Sequence, residues 1–289
     1  MEKVNFKLSK VNSVIDAINF IEEHLTEKLD LDIVASAVHY SKYHLHRMFT
    51  DTVGLTIHEY VQRRQLTEAA KLLVFSKKPI KDIALEAGYE SQQAFTDIFK
   101  AMYKKPPDQF RKSEVFYPLQ LEYEFDNQLE LLKKAEPTAK REILLATEAD
   151  LPLWMDLVRL VIDGFPNLEE DQHVKVLKDY IKENRAFIMK EGSIAIGIMM
   201  ISYNTGSIDF LGVHPLYRKQ GLAQSFLDKA IGELLENKQI SITTFREGDK
   251  ADTGYRKALK ELGFAEAELL TEFGYPTQKM ILPKPQEYR

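Results

Sequence analysis

The sequence predicts two domains: an all-α amino-terminal half with a doubled helix–turn–helix pattern, then an α+β half around a central mixed sheet. Three observations carry this. A pattern of apolar and small residues that begins at Asp32 recurs 50 residues later. From Arg141 onward, short runs of strand character alternate with stretches of helical period. Within that second half, Gly212-Val213-His214-Pro215-Leu216-Tyr217-Arg218-Lys219-Gln220-Gly221-Leu222-Ala223 sets a basic, glycine-containing turn between a strand and a helix.

The helices of the first half follow from spacing. Val14 to Leu25 has the period of a short helix, with Val14, Ile18, Ile21 and Leu25 on one stripe. Asp30-Leu31-Asp32 supplies carboxylates suited to capping a helix expected through Val38. Ser41 opens the next, expected to run to about Thr50. Projected at about 100° per residue, Leu45, Met48 and Phe49 fall on one side and Tyr43, His46 and Arg47 on the other. The first set belongs in a core. The second is polar, aromatic and cationic and faces outward.

Ile57 to Val74 reads as one helix with Tyr60, Val61, Ala69, Leu72 and Leu73 inward. The second copy then matches the first: Asp32-Ile33, Ala37, Ser41, Leu45 and Phe49 correspond to Asp82-Ile83, Ala87, Ser91, Phe95 and Phe99. Its inward set is Ala94, Phe95, Ile98 and Phe99; its outward set is Gln92, Gln93, Thr96 and Asp97. Gly88, free to turn left-handed, stands where the first copy has His39. A continuous central helix would hold two outward helices at a fixed separation, suited to adjacent major-groove segments about 34 Å apart. Arg63-Arg64 and Lys77-Lys78 read either as solvated charge or as phosphate contacts. His44 and His46 lie about 200° apart on a helix, which speaks against a shared metal.

Residues 114–140 read as a connector between a first domain, 1–113, and a second, 141–289. In it Leu119, Leu121, Tyr123 and Phe125 alternate with Gln120, Glu122, Glu124 and Asp126, the period of a strand with one wet face. Leu129 to Lys134 has helical character and Ala135-Glu136-Pro137-Thr138 a break. Such a strand packs on either domain or pairs across a dimer; the residues leave this open.

In the second half the expected order is strand (143–147), helix (150–162), helix (171–184) and strands near 187–189 and 194–203. A strand at 207–213, a helix from Gly221, a strand at 240–245, a helix at 252–262 and a final hairpin through Leu282 follow.

Bulk properties fit two folded domains in 289 residues, 44% hydrophobic and 29% charged. There is no cysteine, which excludes disulfides and thiolate catalysis. The longest apolar run, Ala195 to Ile201, is far shorter than the roughly 20 residues of a membrane helix. Met1 to Ala17 lacks an apolar signal core, so a cytoplasmic location with no membrane partner is expected. The net charge of −5 is unevenly divided. Residues 1–113 hold 17 Lys+Arg against 15 Asp+Glu, and the remainder 22 against 29, so the amino-terminal half is the basic one.

Ser41-Lys42-Tyr43-His44-Leu45-His46-Arg47-Met48-Phe49, Arg64-Gln65-Leu66-Thr67-Glu68-Ala69-Ala70, Ile83-Ala84, Ala87-Gly88-Tyr89, Pro106-Pro107 and Phe110-Arg111 resemble the AraC/XylS-type DNA-binding domain over about residues 10–112. They are most similar to its MarA/SoxS/Rob-type members. The resemblance implies a double-stranded DNA operator as partner. It implies DNA contacts by Tyr43, His46 and Arg47, with Lys42 beside them, and by Gln92, Gln93 and Thr96. Asp97 departs from the arginine expected there and would repel phosphate.

The Arg218–Ala223 turn offers successive backbone N–H groups at a helix amino terminus, a favourable place for an anion. With Ile143, Ala146-Thr147 and Asp150-Leu151-Pro152 before it and Leu262-Gly263-Phe264 after it, it resembles the GNAT acyltransferase superfamily over about 141–284. That implies acetyl-CoA or another acyl-CoA as ligand or co-substrate, with no metal. Leu211 and Val213 would hold the pantetheine by backbone, and Arg218, Lys219, Gln220, Gly221, Leu222 and Ala223 the pyrophosphate. Amine acetylation needs a base and an acid. The family's usual tyrosine, five residues before Phe264, is here Leu259. Tyr255, one turn earlier, is a catalytic candidate or a packing residue. Asp209 is a candidate base or a solvated strand carboxylate, and Glu272 and Tyr275 are further candidates. Two functions are therefore expected: a DNA-binding transcription regulator whose second half senses or acetylates a small amine, or an active N-acetyltransferase that also controls its own or a linked gene.

Overall fold

The computed structural model describes residues 2–125, 141–161, 170–218, 220–236 and 238–283, with side chains from Val11 onward. The chain divides into two compact units, broadly before and after Lys134.

The amino-terminal unit is helical: α1 (Glu2–Glu23), α2 (Leu31–Ala37), α3 (Lys42–Val53), α4 (Ile57–Phe75), α5 (Ile80–Glu86), α6 (Gln92–Tyr103) and α7 (Pro107–Ser113). The first helix begins well before the expected Val14, and Val14, Ile18 and Ile21 are fully buried on its inner stripe. Asp30 caps α2 by accepting the Ile33 N–H at 2.9 Å. α3 outlasts the expected Thr50 and stops at Gly54, whose left-handed φ of 83° closes the last turn. The central α4 starts at a reciprocal cap, Thr56 with Glu59, in which each side chain serves the other's backbone N–H. Its 19 residues give a rod about 28 Å long.

The two tight turns share one solution. Tyr40 N–H bonds Ala35 O at 2.9 Å and Tyr89 N–H bonds Ala84 O at 3.0 Å. The residue between is left-handed in both, His39 at φ 59° and Gly88 at φ 78°. Space, more than backbone freedom, demands glycine in the second turn. A Cβ at Gly88 would lie 2.8 Å from Gln65 Nε2, and that amide is already bonded to Leu25 O. Phe95, Phe99, Tyr103, Phe110 and Tyr117 form a chain of ring contacts joining α6, α7 and the segment after them.

Residues 115–125 do not form a strand. They run extended over α4, where the Thr67 hydroxyl accepts the N–H groups of Leu119 and Gln120 at 3.0 and 3.2 Å. Tyr123 stacks on Tyr60, and Leu119, Tyr123 and Phe125 are buried. Gln120, placed by alternation on the wet face, is only 2% exposed. Of the open alternatives for this stretch, the structure packs it on the amino-terminal helices, because α4 supplies hydrogen-bonding partners that a strand would have found in a sheet. The expected helix at 129–134 and break at 135–138 lie outside the described residues.

The carboxy-terminal unit has a seven-stranded sheet, β1 (Ile143–Leu145), β2 (Ala186–Glu191), β3 (Ile194–Ser202), β4 (Ser207–Val213), β5 (Ser241–Phe245), β6 (Ala265–Glu272) and β7 (Tyr275–Ile281), in the order β1-β2-β3-β4-β5-β7-β6. Only β4 and β5 pair in parallel, so the sheet is mixed. The helices are α8 (Leu151–Val161), α9 (Glu170–Lys182), α10 (Leu222–Lys229, continued by a π-helical turn Ala230–Leu234) and α11 (Tyr255–Glu261).

Trp154, Leu157 and Val158 of α8 and Leu177 of α9 pack with Ile188, Ile198 and Met200. Gly197, next to Ile198 and therefore on the opposite face, lies under Phe226 of α10; a Cβ there would fall 2.5 Å from the ring. Helices thus cover both faces of the sheet.

Candidate functional site

The outer face of α3 is as spacing predicts. Lys42, Tyr43, His46 and Arg47 are exposed, Tyr43 by 79%, above the buried Leu45, Met48 and Phe49. Lys42 lies 3.3 Å from Asp32 and reaches over the Tyr43 ring, so cation and ring present a joined surface. His44 turns away, half-buried and stacked on Tyr40.

On α6, capped by the Ser91 hydroxyl at Ala94 N–H, Gln92, Gln93 and Asp97 are exposed, while Thr96 is half-buried. Gln93 Nε2 donates to Asp97 Oδ1 at 3.0 Å. Ala94, expected inward, is exposed, and Ile98 is only half-buried. Both lie at the margin of the apolar stripe, which Phe95 and Phe99 fill. The outer faces of α3 and α6 therefore differ in kind, the first cationic and aromatic, the second amide and acidic.

Two arginines that looked free to meet phosphate are structural. Arg63 is 2% exposed, and its terminal nitrogen donates to Leu119 O at 2.8 Å. Arg64 is 6% exposed and holds Glu22 through Nε and its terminal nitrogen at 2.8–3.1 Å. It also reaches Glu68 and Gln120 O. The Tyr60 hydroxyl donates to the same Glu22, and burial, with that neighbouring carboxylate, raises its pKa. Glu68 apart, the partners lie about 40 to 56 residues away, so no local signal marks the burial.

In the second unit the expected turn follows β4. Only Ser207 and Ile208 pair with β5, so the edge of β4 around Leu211 and Val213 has no β5 partner. His214 Nδ1 accepts the Leu216 N–H and shapes the short turn Pro215–Tyr217. Gly221 then starts α10 with φ 79°, and no side chain caps that helix. Among the described residues, nothing lies within 4 Å of where its Cβ would be. The first-turn N–H groups have no intrahelical partner.

The turn residues divide by role. Leu222 is buried and offers only its backbone; Ala223 and Arg218 are half-buried. Lys219 lies outside the described residues. The Gln220 side chain braces the turn, donating to Leu216 O at 3.1 Å and accepting from Arg141 at 3.0 Å. Arg141 also bonds Glu191 at 2.6 Å and lies over the Tyr217 ring, whose hydroxyl donates to Glu191 at 2.8 Å. Burial and Glu191 push the Tyr217 phenol well above its ordinary range. Sequence reading missed this Arg141–Glu191–Tyr217 brace, for which spacing gives no signal.

Asp209 sits at an irregularity of β4. Register passes from Met200↔Phe210 to Ile201↔Ile208, which makes Asp209 the extra residue of a bulge. Simple alternation with Leu211 and Val213 is broken there. Its carboxylate accepts from Tyr180 of α9 at 2.7 Å and from Ser207 at 2.6 Å. Burial and Asp209 raise the Tyr180 pKa to about 12.

The Tyr255 hydroxyl donates to Val161 O at 3.3 Å, and Leu259 is buried behind it. Tyr275 is buried with its hydroxyl 3.0 and 3.1 Å from the Asp249 carboxylate. Glu272 is half-buried, with Oε2 sealed from solvent and unbonded. Among the described residues, no helix is long and apolar enough to cross a membrane.

Comparison with known proteins assigns both halves. A helix-turn-helix domain family matches residues 34–113, and an acetyltransferase (GNAT) domain family matches residues 163–280. Transcriptional regulator Rob of Salmonella typhimurium is 39% identical over 106 residues, 37% of each chain. An uncharacterized HTH-type transcriptional regulator, YbfP of Bacillus subtilis, is 40% identical over 99 residues, 34% of each. The chain thus spans about a third of the length of these relatives. Regulatory protein SoxS of Escherichia coli is 36% identical over 104 residues, which are 36% of this chain and 97% of SoxS. Among solved structures, a GNAT-family acetyltransferase from Bacillus cereus matches with TM-score 0.39 and 19% identity over 51% of this chain and all of that one. With a relative matched at this identity over nearly its whole length, the chain belongs to the AraC-type helix-turn-helix family, and its second half carries a GNAT domain.

Proposed function

We propose that the protein is a sequence-specific DNA-binding transcription regulator whose GNAT domain binds acetyl-CoA or another acyl-CoA and senses or acetylates a small amine. The exposed row Lys42, Tyr43, His46 and Arg47 over a packed core is the observation that carries the DNA half. Such a row suits base edges and phosphates, and Gln92, Gln93 and Thr96 supply the second reading surface. For the second half, the support is an uncapped helix start at a glycine with open space beside it, next to a strand edge that β5 does not pair. The N–H groups and Arg218 with Lys219 would take the pyrophosphate, and Leu211 and Val213 the pantetheine amides.

Acetyl transfer further needs a base to take a proton from the amine and an acid for the departing thiolate. Asp209 is the candidate base. For the acid, Leu259 brings no hydroxyl, and the Tyr255 hydroxyl is engaged with Val161 O. This favours sensing over turnover.

The test has three arms. Footprinting of the wild type on selected duplexes, with Arg47→Ala costing about 1–3 kcal/mol at the cognate site, examines the DNA half. Calorimetry with acetyl-CoA examines the ligand. Release of free CoA with a panel of amines examines turnover. Operator affinity changing about five-fold or more with ligand and no CoA release establishes a sensor. CoA release with unchanged operator affinity establishes an enzyme carrying a DNA tether.

A further inference from the structure

We infer that Asp97 reads a base, and that it selects cytosine in the DNA segment met by α6. This rests on the reading of α6 as a major-groove helix. Asp97 is exposed on the outer face of α6, one turn beyond Gln93. A carboxylate there opposes every phosphate, so it weakens binding wherever the backbone is what it faces. Its position on the helix is the guide to what it would meet instead. Helical side chains lean toward the amino terminus, and the Gln93 amide fixes Asp97 in that direction through Oδ1 at 3.0 Å. The amino-terminal end of a recognition helix is the end that meets base edges.

The bond to Gln93 leaves Oδ2 as an acceptor with no hydrogen to give. In the major groove an acceptor-only group is refused by guanine, which shows N7 and O6, and by thymine, which shows O4. Cytosine N4 and adenine N6 both donate. Adenine sets its acceptor N7 beside N6, where it repels the second carboxylate oxygen, whereas cytosine offers an apolar C–H at that side. Cytosine is therefore favoured. The unused N–H and the carbonyl of Gln93 remain for an adjacent adenine, read through N7 and N6. α3 supplies the cations and α6 the discrimination.

The experiment uses the full chain and duplexes selected from a random library by the wild type. Every position of the selected site is then replaced by each of the four pairs, and affinities are measured for wild type, Asp97→Ala and Asp97→Asn. One position in the α6 segment should require cytosine, with other bases binding about five- to hundred-fold more weakly. Asp97→Ala should erase that requirement alone while binding unselected duplex more tightly. Asp97→Asn, which carries both donor and acceptor, should shift the preference toward adenine. If Asp97→Ala tightens binding to all sequences equally and leaves every preference intact, Asp97 is a repelling charge and the inference is overturned. If the wild type selects no sequence at all, the DNA-binding reading fails first, and the two failures are distinct.

Discussion

Replacing Arg64 by Met should destabilise the amino-terminal unit without touching its DNA face. The Arg64 and Glu22 side chains are 7% and 10% exposed, so the pair is largely cut off from water. Methionine fills much of the arginine stem but leaves the Glu22 carboxylate with the Tyr60 hydroxyl alone, and leaves Gln120 O without its Arg64 bond. Removing one member of a buried pair costs about 3–5 kcal/mol, because the remaining charge stays desolvated. In a unit of this size that is a fall in melting temperature of about 10 °C or more. Far-ultraviolet circular dichroism of the full chain follows the helices. The single tryptophan, Trp154, is buried in the other unit, and its fluorescence identifies the transition that should not move. Glu22→Leu combined with Arg64→Met should recover much of the loss by removing both charges. If Arg64→Met leaves the helical transition within about 0.5 kcal/mol of wild type but lowers the salt slope of DNA binding by about one, Arg64 is a phosphate contact and the burial argument is refuted.

Further substitutions probe the second unit. Gly197→Ala sets a Cβ 2.5 Å from Phe226 and should cost about 1–3 kcal/mol, seen as a shift of the Trp154 transition; Phe226→Leu in the same chain should return part of it. Gly221→Asp meets no neighbour among the described residues but strains a left-handed backbone and brings a negative charge to the helix start; acyl-CoA affinity equal to wild type by calorimetry would remove the turn as an anion site. Burial disfavours the Asp150 charge, yet hydrogen bonds from Lys190 at 2.7 Å and from Thr147 hold its carboxyl below the ordinary range. A depressed folded value means stability present above the unfolded value, about 3.9, and lost as pH falls through the folded one. Asp150→Asn should therefore be destabilised at pH 7 and approach wild type as the pH falls below the folded value; a gap independent of pH would show that the charge is immaterial.

Much of this protein was legible in its sequence, and short-range physics explains which part. The apolar stripe of α3, its outward Tyr43, His46 and Arg47 and the Asp30 cap depend on residues within a turn or two of one another. So does Gly221 opening a helix after a strand. Helical period and backbone sterics act over that range, so the linear text carries them. Other decisions belonged to tertiary structure. Arg63 and Arg64 read as surface charge until Leu119 and Glu22, 56 and 42 residues distant, enclose them. The 115–125 stretch has strand alternation, but the acceptor it found was the Thr67 hydroxyl on a helix. Asp209 meets the Tyr180 hydroxyl from 29 residues away. Arg141 braces the turn at Gln220 from 79 residues away. Where folding desolvated a polar group, as at Arg63, Arg64 and the Leu119 N–H, it had to find a partner wherever the chain brought one, and that distance is not written in local pattern.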